Sequence, residues 1–305
     1  MINISGFTDE ISGVLDEQLA VMKKLSQKYM CPRVIDGKNI ADYTAEEFSK
    51  KILPRLEKAG VKFSSIGSPI GKVELSDEDG YRAQIEKLKN LVEIAKLTDC
   101  KYIRTFSFFV GKNCNYDECF PNVVEKIKGF MKVVEGTSVV LLHENEKKIF
   151  GDTPERVLKL YKAIDSPQYK LCFDASNYIQ CGCDPWAAYQ ATKPYTVYYH
   201  MKDCTDGVEV PLGMGQGQIE RILTDLIGGG YDGFLTLEPH TAKYAVLKKL
   251  FYVCPLFALA IKNSRRVFKE IDKNMGVKTF QSVSREEVYV WQFNNLKELL
   301  KKAGA

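Results

Sequence analysis

The chain has 305 residues, 45% of them hydrophobic and 27% charged, enough to bury one substantial core. Its 43 basic and 39 acidic residues leave a formal charge of +4 that is dispersed along the chain, with no block of like charge to mark a nucleic-acid tail or a membrane patch. No stretch reaches the roughly 20 apolar residues of a helical membrane span, and the N-terminus MINISGFTDEIS lacks the basic and apolar regions of a signal peptide, so a cytoplasmic protein is expected.

Short apolar runs alternate with helix-length amphipathic segments from end to end, the pattern of a parallel α/β fold. In chain order the predicted strands are Ile2 to Phe7, Pro32 to Ile35, Lys62 to Ile66, Tyr102 to Phe106, Val139 to His143, Lys170 to Asp174, Thr196 to Met201 and Phe234 to Glu238. Eight strands, each followed by a helix, close a single (β/α)8 TIM barrel. Helix boundaries agree. Thr44-Ala-Glu-Glu47 opens the second helix as a capping box and Gly60 ends it; Asp152-Thr153-Pro154 opens the fifth, Asp184-Pro185 the sixth, and Gly228 to Gly230 ends the seventh. A long helical stretch, roughly Ala242 to Lys273, covers the barrel, its lysines and arginines arguing against a membrane element. The tail from Arg285 to Lys302 is one more amphipathic helix. The expected organisation is a barrel over residues 1–275 and a C-terminal helical extension over 276–305, packed on the barrel or on a neighbouring subunit, where Trp291 offers an interface between copies.

The nine cysteines lie mostly inside apolar runs and are expected to be reduced; Cys181-Gly-Cys183 is too tight for the usual zinc pair. Gly213-Met-Gly-Gln-Gly217 lacks the dinucleotide fingerprint and is read as the loop after the seventh strand, approaching substrate or phosphate.

The chemistry concentrates at strand ends. Glu144, Asp174, His200 and Glu238 terminate the last four strands, one helix-plus-strand unit apart, so a parallel barrel turns all four into one mouth. Three carboxylates repel one another without a cation, and two Glu, one Asp and one His suit a single Mn²⁺, Mg²⁺ or Co²⁺, with Zn²⁺ also accommodated. A lone acid at a strand end more often caps a helix or pairs with a lysine; four in succession are hard to explain that way. His143, next to Glu144, should face the other way as a buried, hydrogen-bonded core residue, whereas His240 lines the pocket. Arg104, Glu146, Asn177, Lys202 and His240 are the candidate substrate contacts; Arg104, inside the apolar run YIRTFSFF, needs a partner or an anionic ligand such as a phosphate.

The strings LLHENEKKIFGDTPERVLKL, LCFDASNYIQCG, YYHMKDCTDG, VPLGMGQGQI and LTLEPH resemble the sugar phosphate isomerase/epimerase family of xylose isomerase-like TIM barrels. The resemblance implies a metal-dependent isomerase or epimerase of carbohydrate metabolism, acting on a ketose, sugar phosphate or inosose through an enediolate. It assigns the divalent ion to Glu144, Asp174, His200 and Glu238, with Glu144 and Glu238 as base and acid. The ketose 3-epimerases of that family usually carry a histidine and an arginine where this chain has Asn177 and Asp206. Two other readings share the barrel. A sugar-binding protein without turnover would keep the pocket, and an abasic-site endonuclease would need more than three histidines and a basic face.

Overall fold

The structure, a computed structural model, describes residues 2–111, 114–240, 244, 245, 248, 262–278 and 281–305. Its elements follow in chain order as β1 (Asn3–Gly6), α1 (Leu15–Leu25), β2 (Tyr29–Met30), α2 (Ala45–Lys51), α3 (Leu53–Ala59), β3 (Lys62–Phe63), β4 (Ile66–Ile70), α4 (Glu78–Leu97), β5 (Tyr102–Thr105) and α5 (Tyr116–Val134). Then come β6 (Val140–Glu144), α6 (Pro154–Ile164), β7 (Tyr169–Asp174), α7 (Ala175–Gln180), α8 (Pro185–Thr192), β8 (Thr196–Met201), α9 (Ile219–Gly228), β9 (Phe234–Leu237), α10 (Lys262–Met275) and α11 (Arg285–Lys302).

Seven parallel strands hydrogen-bond in the order β1, β9, β8, β7, β6, β5, β4. The short β2 completes the circle, pairing with β3 while the Cys31 amide donates to the Gly6 carbonyl at the end of β1 (2.9 Å). The second strand was expected at Pro32 to Ile35 and lies before it, because Pro32 has no N–H for the ladder. Val34–Ile35 instead forms a small antiparallel hairpin with Lys38–Asn39. The third strand also runs further than expected, to Ile70.

Local chemistry sets the helix ends. Thr44 Oγ1 accepts from the Glu47 amide at the start of α2, but Glu47 turns to Lys38 and Lys51, so the expected capping box is half made. Thr153 caps α6 with Pro154 at its first position, and Gly60 closes α3 in the left-handed conformation. Of the long stretch expected from Ala242, Lys262–Met275 is helical; Cys254 and most of the segment before Lys262 lie outside the described residues.

The tail helix α11 starts with a full capping box, Ser284 with Glu287, and packs on α9 and α1. Phe293, Leu296, Leu299 and Leu300 share one core cluster with Leu223 and Leu226, each buried side chain of this kind contributing about 1.5–3 kcal/mol. Cys114 and Cys119 are joined by a disulfide, against the expectation of reduced thiols, while the other described cysteines are free. None of the described helices is long and apolar enough to cross a membrane.

Candidate metal centre

Side chains alternate along a strand, and in β6 the alternation turns Val140, Leu142 and Glu144 inward. Leu142 shares the barrel interior with Cys172 and Tyr198, where Ser5, Ser64 and Tyr198 hydroxyls form a hydrogen-bonded chain of 2.6 and 2.8 Å. One layer above, at the C-terminal mouth, stand Glu144, Asp174, His200 and Glu238, the last one residue beyond β9. All four are buried, and one ligand atom from each lies within 4.8 Å of all the others. Ligands sharing an ion at about 2.0 to 2.4 Å must sit within roughly twice that distance of one another, which this set satisfies. The donors also fit in kind, three hard carboxylates and one imidazole.

His200 Nδ1 is the nitrogen aimed into the cluster, 2.9 Å from Glu144 Oε1 and 3.1 Å from Glu238 Oε2. Phe7 meets the same ring edge-on at 5.2 Å, and Tyr198 does so at 5.8 Å. Asp174 divides its oxygens. Oδ1 accepts from the Asn177 amide and caps α7 (2.9 Å), while Oδ2 stands 2.9 Å from Lys202 Nζ. Its backbone is clamped by Asn145, which donates Nδ2–H to the Asp174 carbonyl and accepts the Asp174 amide, both at 2.9 Å. The capping role and the candidate ligand position therefore coexist in one residue.

Arg104 finds its counter-ions within the protein. Nη1 lies 3.1 Å from Glu144 Oε2 and 3.4 Å from Glu238 Oε1, while Nε and Nη2 donate to the carbonyls of Ser68 and Gly67. It is thus tied down as a bridge between the two glutamates. Asn177 Nδ2 donates to Glu144 Oε1 (3.3 Å) and Asn145 O (2.9 Å), and Asn177 Oδ1 accepts from Lys202 Nζ (2.9 Å). His240 is part-exposed, with Nε2 3.4 Å from Glu238 Oε1. Glu146 turns aside to Lys72 at 2.9 Å.

The electrostatics are strongly skewed. Burial would raise the Glu144 carboxyl, but His200 and Arg104 outweigh it and hold it down at about 2. Burial, with Glu144 and Glu238 beside it, lifts Asp174 to about 6 despite Lys202. Glu238 is held well below its ordinary range against burial, chiefly by Lys202 and His200. For His200, Cys172, Glu144 and Glu238 overcome burial and push the imidazole well above its ordinary value.

His143 faces away, as expected, stacked on Tyr169 at 5.9 Å. Contrary to expectation, neither ring nitrogen finds a hydrogen-bond partner among the described residues. Burial pulls its pKa from 6.5 to about 4, slightly opposed by Glu144. The folded state therefore takes up this proton later than the unfolded chain, and the contribution is present above pH 6.5 and lost as pH falls towards 4, in total about 3 kcal/mol. His143→Leu is expected to flatten the pH dependence of the urea midpoint in that window; an unchanged slope would disprove the assignment.

The glycine string turns its amides inward. It wraps the buried carboxylate of Asp203, whose Oδ2 accepts from the amides of Gly213 (3.0 Å) and Gly215 (2.9 Å), and Oδ1 from Gly217 (2.8 Å) and Cys204 (2.9 Å). A Cβ at Gly215 would overlap that carboxylate. Sequence reasoning also missed Asp9, Glu10 and Arg33 at the rim. Asp9 and Glu10 follow the first strand directly and carried a strand-end signal; Arg33 was hidden by placing the second strand over it.

A family model described as xylose isomerase-like TIM barrel matches residues 29–264. A 2-epi-5-epi-valiolone 7-phosphate 2-epimerase from Actinoplanes sp. is 30% identical over 112 residues, a match spanning 36% of this chain and 40% of that protein. Among solved structures, a D-tagatose 3-epimerase-like protein superposes with a TM-score of 0.71 at 14% identity, covering 99% of this chain and 98% of its own. The IOLI protein, solved with a zinc atom, gives 0.70 at 16%, with 99% of each chain covered. Eight strands closed into a barrel, four potential ligands at its mouth and a family match across most of the length lead to one conclusion: the chain belongs to the xylose isomerase-like TIM barrel family.

Proposed function

We propose that this protein is a divalent-metal-dependent isomerase or epimerase of a polyhydroxy ketone, a ketose, sugar phosphate or inosose. The observation that carries this reading is the convergence of Glu144, Asp174, His200 and Glu238 within 4.8 Å, with two glutamates from different strands reaching the same His200 nitrogen. The epimerase among its relatives supports the reaction class.

Glu144, Asp174, His200 and Glu238 would hold the cation. When bound, it supplies Lewis-acid polarisation of a carbonyl and neighbouring hydroxyl, which acidifies the C–H between them. Glu144, kept ionised, removes that proton while the electron pair moves to the carbonyl oxygen as an enediolate. Glu238, ionised at rest, takes the proton of the neighbouring substrate hydroxyl and passes it to carbon, on the opposite face of the same carbon to give the epimer or on the adjacent carbon to give the aldose or ketose isomer, and Glu144 returns its proton to the substrate oxygen left ionised. Lys202, Asn177 and His240 offer donors at the mouth for substrate oxygens. Arg104 keeps the two carboxylates apart and oriented, and Glu146 contributes at the rim through Lys72. Burial of the four ligands excludes water from the reacting atoms.

Titration calorimetry with Mn²⁺, followed by incubation of a panel of ketoses, ketose phosphates and inososes in D₂O, tests this. Metal binding and uptake of deuterium at a carbon next to the carbonyl are expected. A protein that binds sugar without any exchange would be a binding module, and the proposal would fail.

A further inference from the structure

We propose that Arg33 is a positioning residue for Glu238, and that the C-terminal helix keeps it in place through Arg285; this rests on the metal-centre reading above. Arg33 follows β2 and lies across three carboxylates, with Nε 2.8 Å from Asp9 Oδ2, Nη2 3.1 Å from Glu10 Oε1 and Nη1 3.4 Å from Glu238 Oε1. Its guanidinium covers the Phe7 ring at 5.0 Å, and Arg104 approaches that ring at 4.9 Å. Both arginines thus converge on Glu238 Oε1, against one shared aromatic wall.

The grip on Arg33 is only as firm as the turn that carries Asp9 and Glu10. That single 3-10 turn, Thr8–Glu10, is held from outside by the first residue of α11, since Arg285 donates Nε–H to the Glu10 carbonyl at 3.0 Å and Nη2–H to the Asp9 carbonyl. One turn further on, Tyr289 donates its hydroxyl to Gln27 Oε1 at 3.1 Å and lies so close to Gly6 that a methyl group there would overlap it. An unbroken series of polar contacts therefore runs from the C-terminal helix through the turn and Arg33 to a candidate metal ligand.

Electrostatics and positioning predict opposite signs, which makes the idea testable. A cation so near Glu238 repels an incoming dication, so if charge were its whole effect, Arg33→Met would tighten Mn²⁺ binding. Positioning requires the reverse: outer partners of metal ligands typically account for 10- to 100-fold in affinity, and about a 10-fold loss is expected for Arg33→Met, with partial rescue in Arg33→Lys. Arg285→Ala should weaken Mn²⁺ binding in the wild-type background and add nothing in the Arg33→Met background, because both changes break the same series. The measurements are Mn²⁺ titration calorimetry on each full-length variant, with near-ultraviolet circular dichroism to register folding. If Arg33→Met does not fold, the same double-variant comparison is made with Arg33→Lys. Unchanged or tighter binding in the Arg33 variants, or additive losses, overturns the proposal. Failure of the wild-type protein to bind Mn²⁺ overturns the metal-centre reading itself, whereas intact wild-type binding with unaffected variants removes this inference alone.

Discussion

Glu144→Gln and Glu238→Gln are each expected to abolish measurable Mn²⁺ binding and to lower deuterium uptake into substrate roughly a thousandfold, the scale of losing a positioned acid or base. The substitutions keep shape and volume while removing a charge and a ligand, so a large effect reports chemistry in the cluster, not packing. The two variants differ in one respect. Glu144 is bonded to His200, Arg104 and Asn177, and glutamine there turns a donor towards groups that already donate. Glu238 meets Arg33, Arg104, His200 and His240, and neutralising it leaves two arginines with one carboxylate partner fewer. Full activity in either variant, measured with the metal present, would rule out the assigned base and acid.

The second large effect lies away from the chemistry. Asp203→Ala removes the acceptor for four backbone amides, in a buried setting where each unsatisfied group costs about 1–3 kcal/mol. A destabilisation of about 4 kcal/mol is expected, because part of the loop can relax into solvent. Asp203→Asn, which keeps one carbonyl oxygen, should fall between. Chemical denaturation at neutral pH measures both; a loss below about 1 kcal/mol for Asp203→Ala would show that the loop holds its shape without this carboxylate.

The barrel was legible in the sequence because its strands are short apolar runs bounded by glycine, proline and capping residues, and these rules are local. The four cluster residues were legible for the same reason: each ends a strand, and parallel strands bring their ends together. What escaped was non-local. Arg33 was misplaced because Pro32, which reaches the ladder only through its carbonyl as the second strand ends, was read as the start of that strand. Nothing in the string GMGQG distinguishes amides aimed at a phosphate from amides aimed at a carboxylate ten residues upstream. Arg104 was seen to need a partner, yet whether that partner came from a ligand or from Glu144 and Glu238 depended on how strands far apart in sequence meet.

Asp174 carries one more implication. Its Oδ1 is spent on the first turn of α7 and its backbone is gripped on both sides by Asn145, so the torsions that aim Oδ2 are fixed during folding. Under the proposed metal-centre reading, an arriving ion would meet a pre-aimed oxygen and need not freeze a free rotor, which favours fast and tight capture. The same economy makes the position brittle: a longer acid would shift both oxygens together, so that loosening the helix and losing the ligand could not be separated at this one residue.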